Sequence, residues 1–178
     1  MVNFSENSSA EDSLKCSKEE ERIAAVHKVQ VLDSQYETFY NSINKLAALI
    51  CEVPVAMLTM VDDENVWISS AVGAPGVTKI PRENAFCGWV VTNDQYLEVP
   101  DTSLDINHSC HPLVTDAPNF MFYAGTPLTL PMGKVIGALC VFDVKPNRMT
   151  MNQKTMLEGL ADIVSKALVV KNHVVRLS

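Results

Sequence analysis

Two histidines and a cysteine fall within four consecutive residues, His108-Ser109-Cys110-His111, and a second cysteine, Cys87, lies 23 positions upstream of Cys110. A thiolate is the reactive form of cysteine, and a neighbouring imidazole can favour it. One thiolate that attacks and a second thiol that resolves the resulting sulfenic acid would make a redox centre. The same side chains offer nitrogen and sulfur donors to a metal. Their i, i+2, i+3 spacing in a loop is not a recognised zinc pattern, so no metal and no cofactor is assigned. The plainer reading, preferred here, is that Cys110, His108 and His111 are loop residues that simply meet water. A second set of candidates is aromatic. Trp67, Phe86, Trp89 and Tyr123, with Asp101, can line a cavity in which one carboxylate orients a ligand. Core packing competes with that reading for each ring, and is favoured for Tyr123, which falls within an expected strand. Cys51 and Cys140 read as buried small hydrophobes. Asp62-Asp63-Glu64 reads as a solvated acidic turn, with too few oxygens for calcium.

The elements that must position these residues are organised around Asn119 to Asp143. Two apolar arms flank Pro131-Met132-Gly133, where proline fixes φ and glycine is free to take φ > 0. The second arm is apolar on both faces: Val135, Leu139 and Val141 are expected on one, Ile136, Ala138, Cys140 and Phe142 on the other. A hairpin with one wet face alternates apolar with polar residues. This one does not, so the sheet must be covered on both sides, by helices on one and by a lid of loops on the other.

Ahead of the hairpin, Ser17-Lys18-Glu19-Glu20 and Ser34-Gln35-Tyr36-Glu37 match capping boxes that open two helices. The first runs to about Leu32. The second carries a stripe of Phe39, Ile43, Leu46, Ala47 and Ile50. Val55 to Val61 and Val66 to Val72 are strands joined by the acidic turn. Residues 77 to 118 are irregular, with a short helix near Phe86 to Val91, a short strand at Tyr96 to Val99, a helical turn near Thr102, and the loop that holds His108 to His111. A segment this long with little regular structure is more often functional than inert, and it is placed to be the lid. Thr150-Met151-Asn152-Gln153 is a third capping box. The last helix carries Met156, Leu157, Leu160, Ile163, Val164, Ala167 and Leu168, and its apolar surface continues through Val169, Val170, Val174 and Val175. That surplus predicts pairing of the first and last helices with those of a second copy, a homodimer.

The 178 residues suffice for one domain with a substantial core. The expected layout is a disordered tail over 1–17, followed by a single domain over 18–175. A net charge of −7 without a basic run argues against a nucleic-acid partner. No apolar stretch is long enough to span a bilayer. The polar, Ser-rich start has no apolar signal-peptide core. Five cysteines, an odd and widely spaced set, imply no disulfide framework. The expectation is a cytoplasmic protein without a membrane partner.

The order helix, helix, strand pair, irregular lid, strand pair, helix resembles a GAF domain over about Glu20 to Lys171. It is similar to the bacterial subgroup found N-terminal to diguanylate cyclases and histidine kinases. The matching residues are Val31-Leu32-Asp33, Val61-Asp62 with Trp67 and Gly73, Phe86-Cys87, Val99-Pro100-Asp101 and Pro112-Leu113-Val114. They continue with Phe122-Tyr123-Ala124-Gly125, Pro127-Leu128 and Gly137-Ala138-Leu139-Cys140-Val141 with Asp143. The resemblance implies an α+β fold: a central antiparallel sheet of about six strands, helices on one face, and a loop-covered pocket on the other.

It does not specify a ligand. The subgroup carries Phe-Cys-Ala-His where this chain has Phe86-Cys87-Gly88-Trp89. It carries Asp-x-Arg-Phe then Asn-Pro where this chain has Asp105-Ile106-Asn107-His108 and His111-Pro112. The arginine that would pair with an anion is absent. So is the pattern of the cyclic-nucleotide-binding members, which argues against cyclic GMP or AMP.

Free methionine-R-sulfoxide reductases are GAF proteins with a Cys-Gly and, about two dozen residues on, a nucleophilic Cys. Cys87-Gly88 and Cys110 are similar in spacing, but His111-Pro112 follows instead of that family's acidic residues. Cys110-His111 also resembles the Cys-His dipeptide of bilin-binding members, without the rest of their signature. The expected function is a non-catalytic sensory or regulatory domain. It would bind an unidentified small molecule through Trp67, Phe86, Cys87, Trp89, Asp101, His108, Cys110, His111 and Tyr123, and would signal through its terminal helices to a separate or C-terminal output domain. The alternatives are a sulfoxide-reductase-like enzyme using Cys110 and Cys87, and a structural dimerisation module with a vestigial pocket.

Overall fold

A computed structural model describes residues 6–30, 36–74, 76–83 and 85–174. The elements are α1 (Glu6–Gln30), α2 (Glu37–Cys51), β1 (Val55–Val61), β2 (Asn65–Val72), β3 (Lys79–Pro81), α3 (Phe86–Asn93), β4 (Leu97–Val99), α4 (Pro112–Thr115), β5 (Phe122–Leu130), β6 (Lys134–Asp143) and α5 (Met151–Val174). The strands form one sheet in the order β3-β2-β1-β6-β5-β4, every neighbouring pair antiparallel. β1 and β6 are central, and both are buried along their length. That is why neither alternates apolar with polar in the sequence.

Two cores flank the sheet. On one side α1, α2 and α5 bury Val26, Tyr40, Ile43, Leu157 and Val164 against Leu58, Leu139 and Val141. Each fully buried leucine here contributes about 2 kcal/mol over its exposed state. On the other side α3, α4 and the intervening loops bury Phe86, Val90 and Phe120 against Met57, Tyr123, Cys140 and Phe142. This is the α+β arrangement expected, with the lid where the 77 to 118 segment was placed.

The hairpin turn forms as read: Pro131–Gly133 is a 3-10 turn and Gly133 takes φ 72°. The facing of β6 does not. Leu128 pairs with Gly137 but Thr129 pairs with Val135, so Ile136 is an extra residue, a bulge. The bulge turns Ile136 toward the helices with Leu139 and Val141, and Val135 toward the lid with Ala138, Cys140 and Phe142. Gly137, beside the bulge, has a packing reason: a Cβ there would stand 1.9 Å from the Thr59 carbonyl oxygen of β1.

Several helix readings change. α1 starts at Glu6, so residues 6–17, expected to be disordered, are helical, and Ser17 lies inside the helix instead of capping it. Val31-Leu32-Asp33 and the cap at Ser34 lie outside the described residues. On α2 the buried face is Tyr40, Ile43, Asn44, Ala47 and Cys51, while Leu46 is exposed. The helix is rotated by about one position from the expected stripe, because Asn44 turns inward to donate to Ser70 Oγ at 3.0 Å.

The third capping box forms in full. Gln153 N donates to Thr150 Oγ1 at 3.2 Å, and Gln153 Oε1 accepts from Thr150 N at 3.0 Å. β3 and α4, both short, were not read from the residues. Among the described residues no helix is long and apolar enough to cross a membrane.

Candidate functional site

In the acidic turn between β1 and β2, Asp63 and Glu64 are exposed as expected, but Asp62 is structural. Asp62 is buried, and its Oδ1 accepts from the Glu64 and Asn65 amides at 2.9 and 2.5 Å. Its Oδ2 accepts from the Trp67 indole. Burial pushes this carboxyl up, but the bonds from Trp67, Asn65 and Glu64 outweigh it and hold the group below the usual carboxylate range. Trp67 is thereby fixed on the helix side of the sheet, with Lys79 Nζ 5.1 Å from its ring centroid. Its strand neighbours Val66 and Ile68 face the lid instead.

On the lid side, α3 begins after the extended residue Ala85 and lies close over β6. Gly88 lets the β3–α3 connection fold close against the helix, since a Cβ there would be 2.8 Å from the Arg82 carbonyl oxygen. Phe86 then stacks between two rings, His108 at 4.2 Å and Tyr123 at 4.6 Å between centroids, each 17° from parallel. Asp105 holds His108 in place. Its Oδ1 lies 2.7 Å from the ring Nδ1 and accepts from the His108 amide at 3.0 Å. His111 caps α4, its Nδ1 accepting from Leu113 N at 3.0 Å. Burial, with the nearby His108, pushes the His111 imidazole below its usual 6.5.

Beside this ring stack is a cavity of about 350 Å³ between the sheet and the lid. Its floor includes Met57, Thr59, Val66, Ile80 and Phe142, and its roof includes Cys87, Leu113 and Phe120. Among the described residues no charged side chain lines it, and the side-chain heteroatoms on its wall are the Met57 thioether, the Thr59 hydroxyl and the Cys87 thiol. Thr59 Oγ1 donates to the Ala138 carbonyl at 3.2 Å. The cavity therefore favours an uncharged, largely apolar guest.

Of the residues read as ligand candidates, Cys87 alone lines this cavity. Phe86 and Tyr123 form the packed stack next to it, and Tyr123 is fully buried. Trp89 and His108 border an outer groove of about 740 Å³, with Asp63, Glu64, Arg82 and Glu83. Cys110 and His111 border another open groove with Ile80 and Glu83. Asp101 caps the 3-10 turn Thr102–Leu104, accepting from Ser103 N at 3.0 Å and Ser103 Oγ at 2.6 Å.

Cys110 is exposed, whereas Cys87 is buried with its sulfur 3.6 Å from that of Cys140. The thiol nearest to Cys87 is thus Cys140, which the residues had marked only as core. Among the described residues no group of three or more His, Cys, Asp or Glu is gathered to hold a metal. The lining residues Met57, Val66, Ile68 and Phe142 were missed because strands apolar on both faces give no sign of which face is hollow.

The model of the GAF domain family matches residues 35–168. The chain is 29% identical over 147 residues to the cyclic di-GMP phosphodiesterase PA2567 of Pseudomonas aeruginosa, covering 82% of this chain and 25% of that protein. It therefore spans about a quarter of the length of that curated relative. Among solved structures, the GAF domain of an Acinetobacter phosphoenolpyruvate-protein phosphotransferase superposes with a TM-score of 0.65 at 13% identity, over 87% of this chain and 97% of that one. The free methionine-R-sulfoxide reductase of Neisseria meningitidis, in complex with its substrate, superposes with a TM-score of 0.62 at 16% identity, over 84% of this chain and 89% of that one. At these identities the superpositions show the fold alone. The family match, covering the sheet, the lid and most of α5, carries the assignment: the chain belongs to the GAF domain family.

Proposed function

We propose that this is a non-catalytic sensory or regulatory domain that takes an uncharged small molecule in the cavity between sheet and lid. The carrying observation is the cavity itself: about 350 Å³ with an almost wholly apolar wall. Binding orders the lid, and the domain passes the signal through its terminal helices. α5 supports that role. Met156, Ile163 and Val170, spaced by seven, are each at least half exposed, and this stripe suits pairing with a second copy. The similarity to PA2567 supports a setting in which such a domain accompanies a separate output domain.

A sulfoxide-reductase-like activity is the rival. It would need Cys110 and Cys87 to meet, and they open on different spaces, an outer groove and the inner cavity. Native mass spectrometry of the chain purified without denaturant, beside Ala74→Phe at the cavity wall, tests the reading. A small molecule retained by the parent chain and lost from the variant is the expected result. Consumption of free methionine-R-sulfoxide with dithiothreitol, abolished by Cys110→Ser, would overturn it in favour of the enzyme.

A further inference from the structure

Cys87 and Cys140 come from distant parts of the chain, one in the first turn of the roof helix α3, the other in the middle of the floor strand β6. Their sulfurs are 3.6 Å apart. Both residues are buried, 4% and 0% exposed, yet Cys87 also forms part of the cavity wall. The Tyr123 hydroxyl donates to Cys87 Sγ at 3.6 Å, and the one proton of Cys140 Sγ can go either to Cys87 Sγ or to the Met57 carbonyl, 3.5 Å away.

We propose that Cys87 and Cys140 are a peroxide-responsive dithiol that closes into a reversible disulfide, tying the roof of the cavity to its floor. The sulfurs need to approach by only about 1.5 Å to reach bonding distance. The cavity gives a small uncharged oxidant such as hydrogen peroxide a route to Cys87. The two thiols also have unequal tasks. Hydrogen bonding from Cys140 favours the Cys87 thiolate against the cost of burial, with the Tyr123 hydroxyl helping, whereas burial keeps Cys140 protonated. The first turn of a helix adds to the stabilisation of a thiolate.

The chemistry closes without another reactant. The Cys87 thiolate attacks one peroxide oxygen, the O–O bond breaks, and the departing hydroxide takes a proton to become water. Cys87 is left as a sulfenic acid. The Cys140 sulfur then attacks the Cys87 sulfur, the S–O bond breaks, and the leaving hydroxide combines with the Cys140 proton as a second water. Two thiols have lost two electrons and one peroxide has gained them. A dithiol reductant reverses the bond by exchange.

The test is non-reducing peptide mapping of the full chain after hydrogen peroxide, using Cys16→Ser/Cys110→Ser to remove the two exposed thiols. The expected result is a loss of two hydrogen masses, one cross-linked peptide pair containing Cys87 and Cys140, and full recovery with dithiothreitol. Cys140→Ser should instead leave a sulfenic acid on Cys87 that dimedone captures. This arm survives even if one variant packs poorly, because Cys87→Ser with Cys140 intact should show neither cross-link nor dimedone adduct. An unchanged mass in the parent and the double variant, or a cross-link that uses Cys51 instead, would overturn the proposal.

Discussion

Arg82 Nη1 donates to Glu19 Oε1 at 2.7 Å, so the connection between β3 and α3, which carries the lid, is tied directly to α1. Arg22 shares the same carboxylate, with Nε 2.7 Å from Glu19 Oε2, and is itself buried. It also donates from Nη1 to the Val61 carbonyl at 2.5 Å and from Nη2 to the Asp62 carbonyl at 3.2 Å. One carboxylate thus joins the helix, the end of β1 and the lid.

The bonds from the two guanidiniums, Arg22 foremost, overcome burial and hold the Glu19 carboxyl down from the ordinary 4.5 to about 2. A depressed carboxyl contributes stability that is complete above its unfolded value and disappears as pH falls from about 4.5 through about 2. The Glu19 side chain is 39% exposed, so solvent screening limits the effect. Glu19→Gln should cost about 1 kcal/mol near neutral pH and show a shallower acid loss than the parent in urea melts. Identical acid profiles would show that the carboxylate is not part of the fold's acid sensitivity.

Arg22 is the larger contributor in the same cluster. Replacing it with alanine takes the side-chain donor from the buried Val61 carbonyl and leaves the Glu19 carboxylate and the Asp62 carbonyl to Arg82 alone, a loss of about 2–4 kcal/mol. Arg82→Ala, at a half-buried position, should cost about 1 kcal/mol while increasing amide exchange across the lid. The measurement is hydrogen–deuterium exchange beside chemical denaturation, and equal effects of the two substitutions would contradict this ranking.

Gly137 makes a sharper prediction. An added methyl would meet the Thr59 carbonyl at 1.9 Å, and that carbonyl is backbone of the central strand β1. Neither central strand can yield without breaking its ladder. Gly137→Ala should therefore destabilise by about 3 kcal/mol or more, whereas Gly133→Ala, in the open turn, should cost about 1 kcal/mol through its φ of 72° alone. Thermal melts of the two variants side by side check the order.

The two-sided apolar hairpin, the lid and the last capping box were legible because each rests on local rules: strand alternation, proline punctuation, and Thr150 with Gln153 three residues on. The family resemblance supplied the strand count. What escaped was set by non-local geometry. The Ile136 bulge follows from the register between β5 and β6, and it exchanges the faces of Val135 and Ile136. Trp67 read as a pocket residue, yet the buried Asp62 carboxylate draws its indole to the helix side. Cys87 and Cys140 are 53 positions apart, and nothing short of the α3–β6 contact brings them together.

His111 offers a pH test of the lid. Its Nδ1 accepts the Leu113 amide proton at the start of α4, which only the neutral ring can do. Burial foremost, then the neighbouring His108, lowers its folded pKa below the usual 6.5. Its contribution is therefore complete above about 6.5 and is lost as pH falls through the folded value. Asp105, bonded to the His108 ring, also faces this turn. His111→Asn keeps an N-cap acceptor without the titration. Between about pH 7 and pH 5, amide exchange at 113–117, taken relative to each amide's intrinsic rate, should rise in the parent chain and stay flat in His111→Asn. A parallel rise in both would assign the change to another group.

Indole serves as a probe of the cavity, because it is uncharged, mostly apolar and has one donor that the Thr59 hydroxyl or the Cys87 thiol can accept. A ligand bound only to the folded chain stabilises it by about 2.7 kcal/mol at a hundredfold excess over its dissociation constant. For a domain of this size that is a rise of roughly 5–10 °C in melting temperature. Ala74→Phe, which places a ring at the cavity wall, should abolish the rise while leaving the far-ultraviolet dichroism unchanged. Leu49→Ala, on an exposed position of α2 away from the cavity, should leave it intact. A rise that persists in Ala74→Phe would place the indole outside the cavity, and an absent rise in the parent at saturating indole would mean that the apolar space between sheet and lid does not open to an aromatic guest.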